Sequence, residues 1–239
     1  MNIKSIINFY RNYKNFKKTL ELSSKLFYKK KIALIGSSNN ILGKNYGDLI
    51  NSFDFVIRFN TAPTKSFEKD VGTKTDLRVI SESVMRDDVI YFSYENNYSS
   101  NLLNQKILLI SESHKSEILR QINNFFHMSS EVWIFENFQS PYVRFKLSSD
   151  YNLLTKIKFY KCPPFSVGTT TLMLASLVDC NISLFGFDFN KNLKSYKHYF
   201  YDPAFFKRNS QKEIITNHNF ELENYFIKTV VKKKNMKIF

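Results

Sequence analysis

Short apolar runs separated by polar clusters recur along the chain from Lys31 onward. Lys31-Ile32-Ala33-Leu34-Ile35-Gly36 is a continuous apolar stretch ending at glycine, the pattern of a strand buried on both faces that leads into a turn. Ser37-Ser38-Asn39-Asn40 comes next, rich in side chains that bond backbone and cap helices. Phe53 to Asn60 reads as a second strand, closed by Ala62-Pro63. Further strands are predicted at Leu77–Ile80, Ile107–Ile110, Val132–Phe135, Ile157–Tyr160 and Ile182–Phe187, with helical patterns at Glu117–Phe126 and Thr169–Val178. Strands alternating with helices predict an α/β fold with a largely parallel sheet. Asn190 to Asn217 lacks periodicity and reads as irregular, a candidate lid.

Residues 1–30 differ from the rest of the chain. Ile3, Ile6, Ile7, Tyr10, Tyr13, Phe16 and Leu20 recur at helical steps among many lysines, against one acid, Glu21. This leader reads as basic amphipathic helix, and two uses fit it: peripheral membrane contact or docking onto the core. Residues 31–239 read as a single catalytic domain. No apolar run is long enough to span a bilayer.

The chain of 239 residues carries 35 Lys and Arg against 21 Asp and Glu, a formal charge of +14. That excess suits anionic partners, whether nucleic acid, acidic lipid or phosphorylated substrates, although lysines occur in nearly every segment. Cys162 and Cys180 lack zinc-type spacing and read as buried free thiols. This suits a reducing compartment and a cytoplasmic chain, peripheral at the inner membrane face.

Candidate chemistry gathers where ligands of parallel sheets bind, just past the carboxyl ends of strands. Gly36, Asn40 and Asn60 fall there. Read whole, the stretch from Ile35-Gly36-Ser37-Ser38-Asn39-Asn40 through Arg58-Phe59-Asn60, Ala62-Pro63-Thr64, Gly72-Thr73-Lys74-Thr75 and Ser81-Glu82-Ser83 resembles the large sialylmotif of the animal-type sialyltransferases, glycosyltransferase family 29. Pro164 to Thr171, with Leu184-Phe185-Gly186-Phe187, resembles the small sialylmotif. His198-Tyr199-Phe200 is similar to motif III, and His218 with Glu223 is similar to the very-short motif. The chain so looks like a bacterial or viral relative of that family.

The resemblance implies a Rossmann-like, GT-A-like α/β/α sandwich and an inverting transfer from a CMP-sugar. It implies that His218 is the catalytic base and that His198 interacts with the donor phosphate. Asn40, Asn60, Gly36, Ser166, Gly168, Gly186 and Asp188 become donor-site residues, with Glu223 and Tyr199 in support. Neither cofactor nor divalent metal is implied, since the CMP-sugar is a co-substrate. Chemistry agrees with these roles: imidazole titrates near neutrality and suits proton removal from an acceptor hydroxyl, while a second imidazole and amide groups suit a departing phosphate.

Departures limit the transfer of roles. The family's disulfide cysteines correspond to Ile32 and Asp179, so that link cannot form. Ser37 replaces an asparagine, Pro164 a tyrosine, and Asp188 a glycine. The donor is left as CMP-sialic acid or CMP-Kdo, and the acceptor as a surface glycan or lipid-linked oligosaccharide. The alternative from another class is a nucleotide- or nucleic-acid-binding protein without transferase activity.

Overall fold

The computed structural model describes residues 16–81, 105–111, 129–136, 165–188 and 220–239. Helix α1 covers residues 16–27. Strand β1 (Lys31–Ile35), a 3-10 turn (Asn39–Ile41), α2 (Gly47–Asn51), β2 (Phe55–Phe59), α3 (Glu68–Val71) and β3 (Leu77–Ser81) succeed it. Then come β4 (Gln105–Ser111), β5 (Ser129–Glu136), α4 (Val167–Ser176), β6 (Asn181–Phe185), α5 (Phe220–Lys233) and β7 (Lys237–Ile238). The predicted strand at Ile157–Tyr160, the helix at Glu117–Phe126 and the candidate lid lie outside the described residues.

The strands form one sheet in the order β5-β4-β3-β2-β1-β6-β7, every pair parallel. Successive residues of a strand point to opposite faces, and the apolar residues sort accordingly. Ile32, Leu34, Ile57, Phe59, Leu77, Val79, Leu108, Ile110, Ile182 and Leu184 join Leu26, Phe27, Leu172, Phe226 and Val230 in one core. Thus α1, α4 and α5 cover that face. Ala33, Ile35, Val56 and Phe185 join Ile41, Ile50, Phe53 and Val71 in a second, smaller core on the other. Burying a side chain such as Phe27 or Phe226 contributes about 2 kcal/mol each. The sheet is therefore the middle of three layers.

The thinner layer is completed by two arginines. Arg58 and Arg78 sit between core-facing neighbours on β2 and β3, are Cα partners in the sheet, and are each 1% exposed. Arg58 donates from Nη2 to the carbonyls of Val71 (2.7 Å), Gly72 (3.1 Å) and Lys74 (3.0 Å), and from Nε to Thr75 Oγ1 (2.9 Å). Burial, then the neighbouring Arg78, pushes its pKa down to about 9, so the guanidinium stays protonated near neutrality. Backbone carbonyls of the segment after α3 thus accept most of the Arg58 hydrogen bonds. The segment after α3 is wrapped around one side chain.

Some of the basic excess has similar local uses. Lys30 Nζ donates to Leu26 O (2.6 Å), Lys74 Nζ to Phe53 O (2.6 Å) and Lys234 Nζ to Val178 O (2.9 Å). Each carbonyl lies at or just past the end of a helix, where cations are favoured. The two positions matching the absent disulfide are held otherwise. Ile32 is fully buried and pairs with Ile182, while Lys29 N donates to Asp179 O at 2.7 Å. Cys180 is a free, half-buried thiol whose pKa burial pushes up to about 11. Cys162 lies outside the described residues.

Candidate active site

Strand order runs outward from β1 to β5 on one side and through β6 to β7 on the other. Such a reversal opens a crevice beyond the carboxyl ends of the two central strands. Gly36 closes β1 there and Gly186 closes β6. Gly36 N donates to Phe185 O (2.7 Å) and Ser38 N to Gly186 O (3.0 Å). A Cβ on Gly36 would lie 2.3 Å from Gly186 O, and Gly186 itself has φ +65°. Two backbones approach here as only glycines allow. These contacts turn the chain out of the sheet on both sides of the crevice.

Phe187, which in sequence reads only as a strand end, ties the surrounding pieces together. Asn40 Nδ2 donates to its carbonyl at 3.0 Å. Its ring meets Phe59 edge-on, centroids 6.1 Å apart. A Cβ on Gly168 would come within 3.3 Å of that ring, and one on Gly36 within 3.1 Å. Gly36, Asn40, Gly168 and Gly186 are so gathered around one phenylalanine. Half-buried Asp188 comes directly after it. The place of Phe187 in Leu184-Phe185-Gly186-Phe187, within the stretch that resembles the small sialylmotif, was the signal available in the sequence.

Asn60 ends the neighbouring strand β2 in a left-handed conformation, φ +47°, which asparagine tolerates better than most residues. Asn60 Oδ1 accepts from Ser81 N at 3.1 Å. Its Nδ2 makes no hydrogen bond among the described residues, leaving that donor for a ligand. Asp70 fastens the loop between the 3-10 turn and α2, accepting from Asn45 N at 2.9 Å. The backbone N–H groups of Gly43, Asn45 and Lys44 hold its carboxyl below the usual carboxylate range. A depressed acid stabilises above its unfolded pKa, so this fastening is intact near neutrality and is lost as pH falls through the lowered value.

Ser166 caps α4, its Oγ accepting from Thr169 N at 3.4 Å. Buried Glu223, from α5, sits against the same helix start. Glu223 accepts from Ser166 N (2.9 Å), Ser166 Oγ and Thr169 Oγ1. An anionic side chain at a helix N-terminus is favourable, and here it locks α5 to α4. Both polar groups of Ser166 are thus engaged by protein. Glu223→Ala leaves three donors without their acceptor, and should lower stability by about 2 kcal/mol. Urea denaturation, with the midpoint falling at constant slope, checks this.

His198, Tyr199 and His218 lie outside the described residues, although His218 stands two residues before α5 in sequence. The described residues so bring together the proposed donor-binding glycines and asparagines, with Glu223 beyond Gly168. No described helix is long and apolar enough to cross a membrane.

A family model described as glycosyltransferase family 29 (sialyltransferase) matches residues 3–235. Similar relatives include β-galactoside α-2,6-sialyltransferase 2 of Gallus gallus, 39% identical over 71 residues, covering 30% of this chain and 13% of the relative. The Homo sapiens protein of that name is 38% identical, with the same coverage. A β-1,6-galactosyltransferase of Arabidopsis thaliana is 43% identical over 53 residues, 22% of this chain and 13% of the relative. The match therefore spans about an eighth of these relatives' length. A solved mammalian sialyltransferase in complex with Gal-β-1-3GalNAc-ortho-nitrophenol aligns over 97% of this chain and 85% of its own, TM-score 0.59, at 16% identity. At that identity the likeness is one of fold.

One expectation is corrected by these relatives. The lack of a spanning segment and of a disulfide framework pointed to the cytoplasm. The animal sialyltransferases that the chain matches are Golgi-lumenal enzymes. A missing span and a missing disulfide are weak guides to compartment, because each records a local feature and neither records a destination.

Proposed function

The chain belongs to glycosyltransferase family 29, the sialyltransferases, and from that premise we propose that it transfers sialic acid from CMP-sialic acid to a glycan hydroxyl with inversion. The supporting observation is the gathering of Gly36, Gly186, Asn40 and Gly168 at the carboxyl ends of β1 and β6, where the strand order reverses, with Asn60 at the end of neighbouring β2. A nucleotide monophosphate leaving group suits that place. The Asn60 amide, whose Nδ2 is unengaged among the described residues, is a donor that suits a departing phosphate where charge develops.

In this reading the acceptor hydroxyl loses its proton to His218 as the new glycosidic bond forms. The bond from the anomeric carbon to phosphate breaks on the opposite face, and CMP leaves. His198 stabilises the phosphate. The anomeric carbon bears a carboxylate and passes through an oxocarbenium-like state. No divalent metal is required in this scheme. CMP-Kdo shares the carboxylate and the nucleotide, so Asp188, where a glycine is usual, is the residue to examine for donor choice.

The test is nucleotide release by the purified chain, CMP from CMP-sialic acid or CMP-Kdo and UDP from UDP-galactose, the last because of the Arabidopsis thaliana relative. Release from CMP-sialic acid, dependent on a galactose-bearing acceptor and insensitive to EDTA, is expected. Turnover of UDP-galactose alone would replace the donor assignment. Tight, salt-sensitive RNA binding with no release of either nucleotide would favour the nucleic-acid alternative.

A further inference from the structure

We propose that Arg78 is a positioning residue for the donor: it sets the turn that presents the Asn60 amide nitrogen to the nucleotide. The inference rests on the donor-site reading above and adds a residue to it. Arg78 is 1% exposed and lies on β3, on the face covered by the short helices. Its Nη1 donates to Asn60 O (2.8 Å) and to Ala62 O (3.0 Å). Its Nε donates to Gln105 Oε1 at 2.7 Å, at the start of β4. One planar side chain so spans from β4 to the turn that ends β2.

The turn needs such a clamp. Asn60 has positive φ, an uncommon conformation for a residue with a side chain. Three contacts fix the same residue from β3 and its exit. Asn60 N donates to Val79 O (2.8 Å), Asn60 Oδ1 accepts from Ser81 N (3.1 Å), and Arg78 takes the carbonyl. With the side-chain oxygen committed to Ser81, Nδ2 is the end left to face a ligand. An arginine holds two carbonyls and an amide oxygen in fixed geometry, whereas a lysine, with one point-like ammonium, holds fewer. The guanidinium is buried, at 1% exposure. Its effect passes through Asn60.

The consequence is separable from general damage to the fold. CMP affinity by titration calorimetry, with donor KM and kcat, is measured for the wild type, Asn60→Ala, Arg78→Lys and the double variant. Arg78→Lys is expected to weaken CMP binding about 10- to 100-fold, with most of the loss in KM and little in kcat. In the Asn60→Ala background the same substitution should add less than about twofold, because both changes remove one interaction. Gln105→Ala, which frees only Nε, should shift affinity in the same direction by a few fold and serves if Arg78 variants melt below assay temperature. Equal losses from Arg78→Lys with and without Asn60, or unchanged affinity in both Arg78→Lys and Gln105→Ala, would overturn the assignment. A wild type that binds no CMP would instead remove the donor-site reading on which it stands.

Discussion

His218→Ala is expected to cut turnover by about 10²- to 10⁴-fold while CMP affinity stays near that of the wild type. In the proposed transfer, forming the new glycosidic bond releases one proton from the acceptor hydroxyl, and an imidazole, which ordinarily titrates near neutrality, takes it without a permanent charge. His218 directly precedes the segment that Glu223 anchors. Phe220 opens α5, and Glu223, one turn on, is bound to Ser166 and Thr169 at the start of α4. Gly168 belongs to that same first turn. The measurement is a pH–rate profile of both proteins at saturating donor. The wild type should lose rate as pH falls through the histidine range, and the variant should show a low, flat line there. Full turnover in the variant would dismiss His218 as base.

Gly36→Ala is expected to remove detectable CMP binding and to lower stability by about 3 kcal/mol. The added methyl would lie 2.3 Å from Gly186 O and 2.8 Å from Gly186 C, and both are backbone atoms. Neither can swing aside as a side chain could. Relief requires β1 and β6 to part at their ends, which breaks the bonds from Gly36 N to Phe185 O and from Ser38 N to Gly186 O. The ring of Phe187, 3.1 Å from the same methyl, would move as well. Calorimetric titration with CMP and urea unfolding read the two effects separately. A Gly36→Ala protein with the wild-type midpoint and wild-type affinity would show that the close approach serves neither fold nor site.

Much of this sheet is readable without coordinates. Continuous apolar runs at Ile32–Ile35 and Ile107–Ile110 have no other comfortable use than a strand buried on both sides, and Leu77–Ile80 is apolar but for Arg78. The helix at Val167–Ser176 is legible too, with its pattern displaced two residues late at each end. What escaped is instructive. The helix Phe220–Lys233 is dense in charge, and its apolar positions Leu222, Phe226, Ile227 and Val230 are obscured by lysines that need only reach solvent. The short helices Gly47–Asn51 and Glu68–Val71 carry too few residues for periodicity to register.

The proposed site is readable in a different sense. Glycines and asparagines after strand ends are common, so only their combined order marked them. The crosswise contacts left no local trace. Nothing about Glu223 in sequence says that it meets Ser166, 57 residues away. Arg78 reads as a solvent-facing charge in an apolar run until Asn60 and Ala62 carbonyls are placed against it. Phe187 reads as a strand end, because its backbone carbonyl, which holds Asn40, is invisible to hydropathy.

The most direct measurement is a crystal structure of the chain with CMP bound. CMP is expected beyond the carboxyl ends of β1 and β6, beside Gly36 and Gly168, with Asn60 Nδ2 toward the phosphate. CMP seated at the opposite, amino-terminal edge of the sheet, or against the basic face of α1, would contradict the proposed donor site.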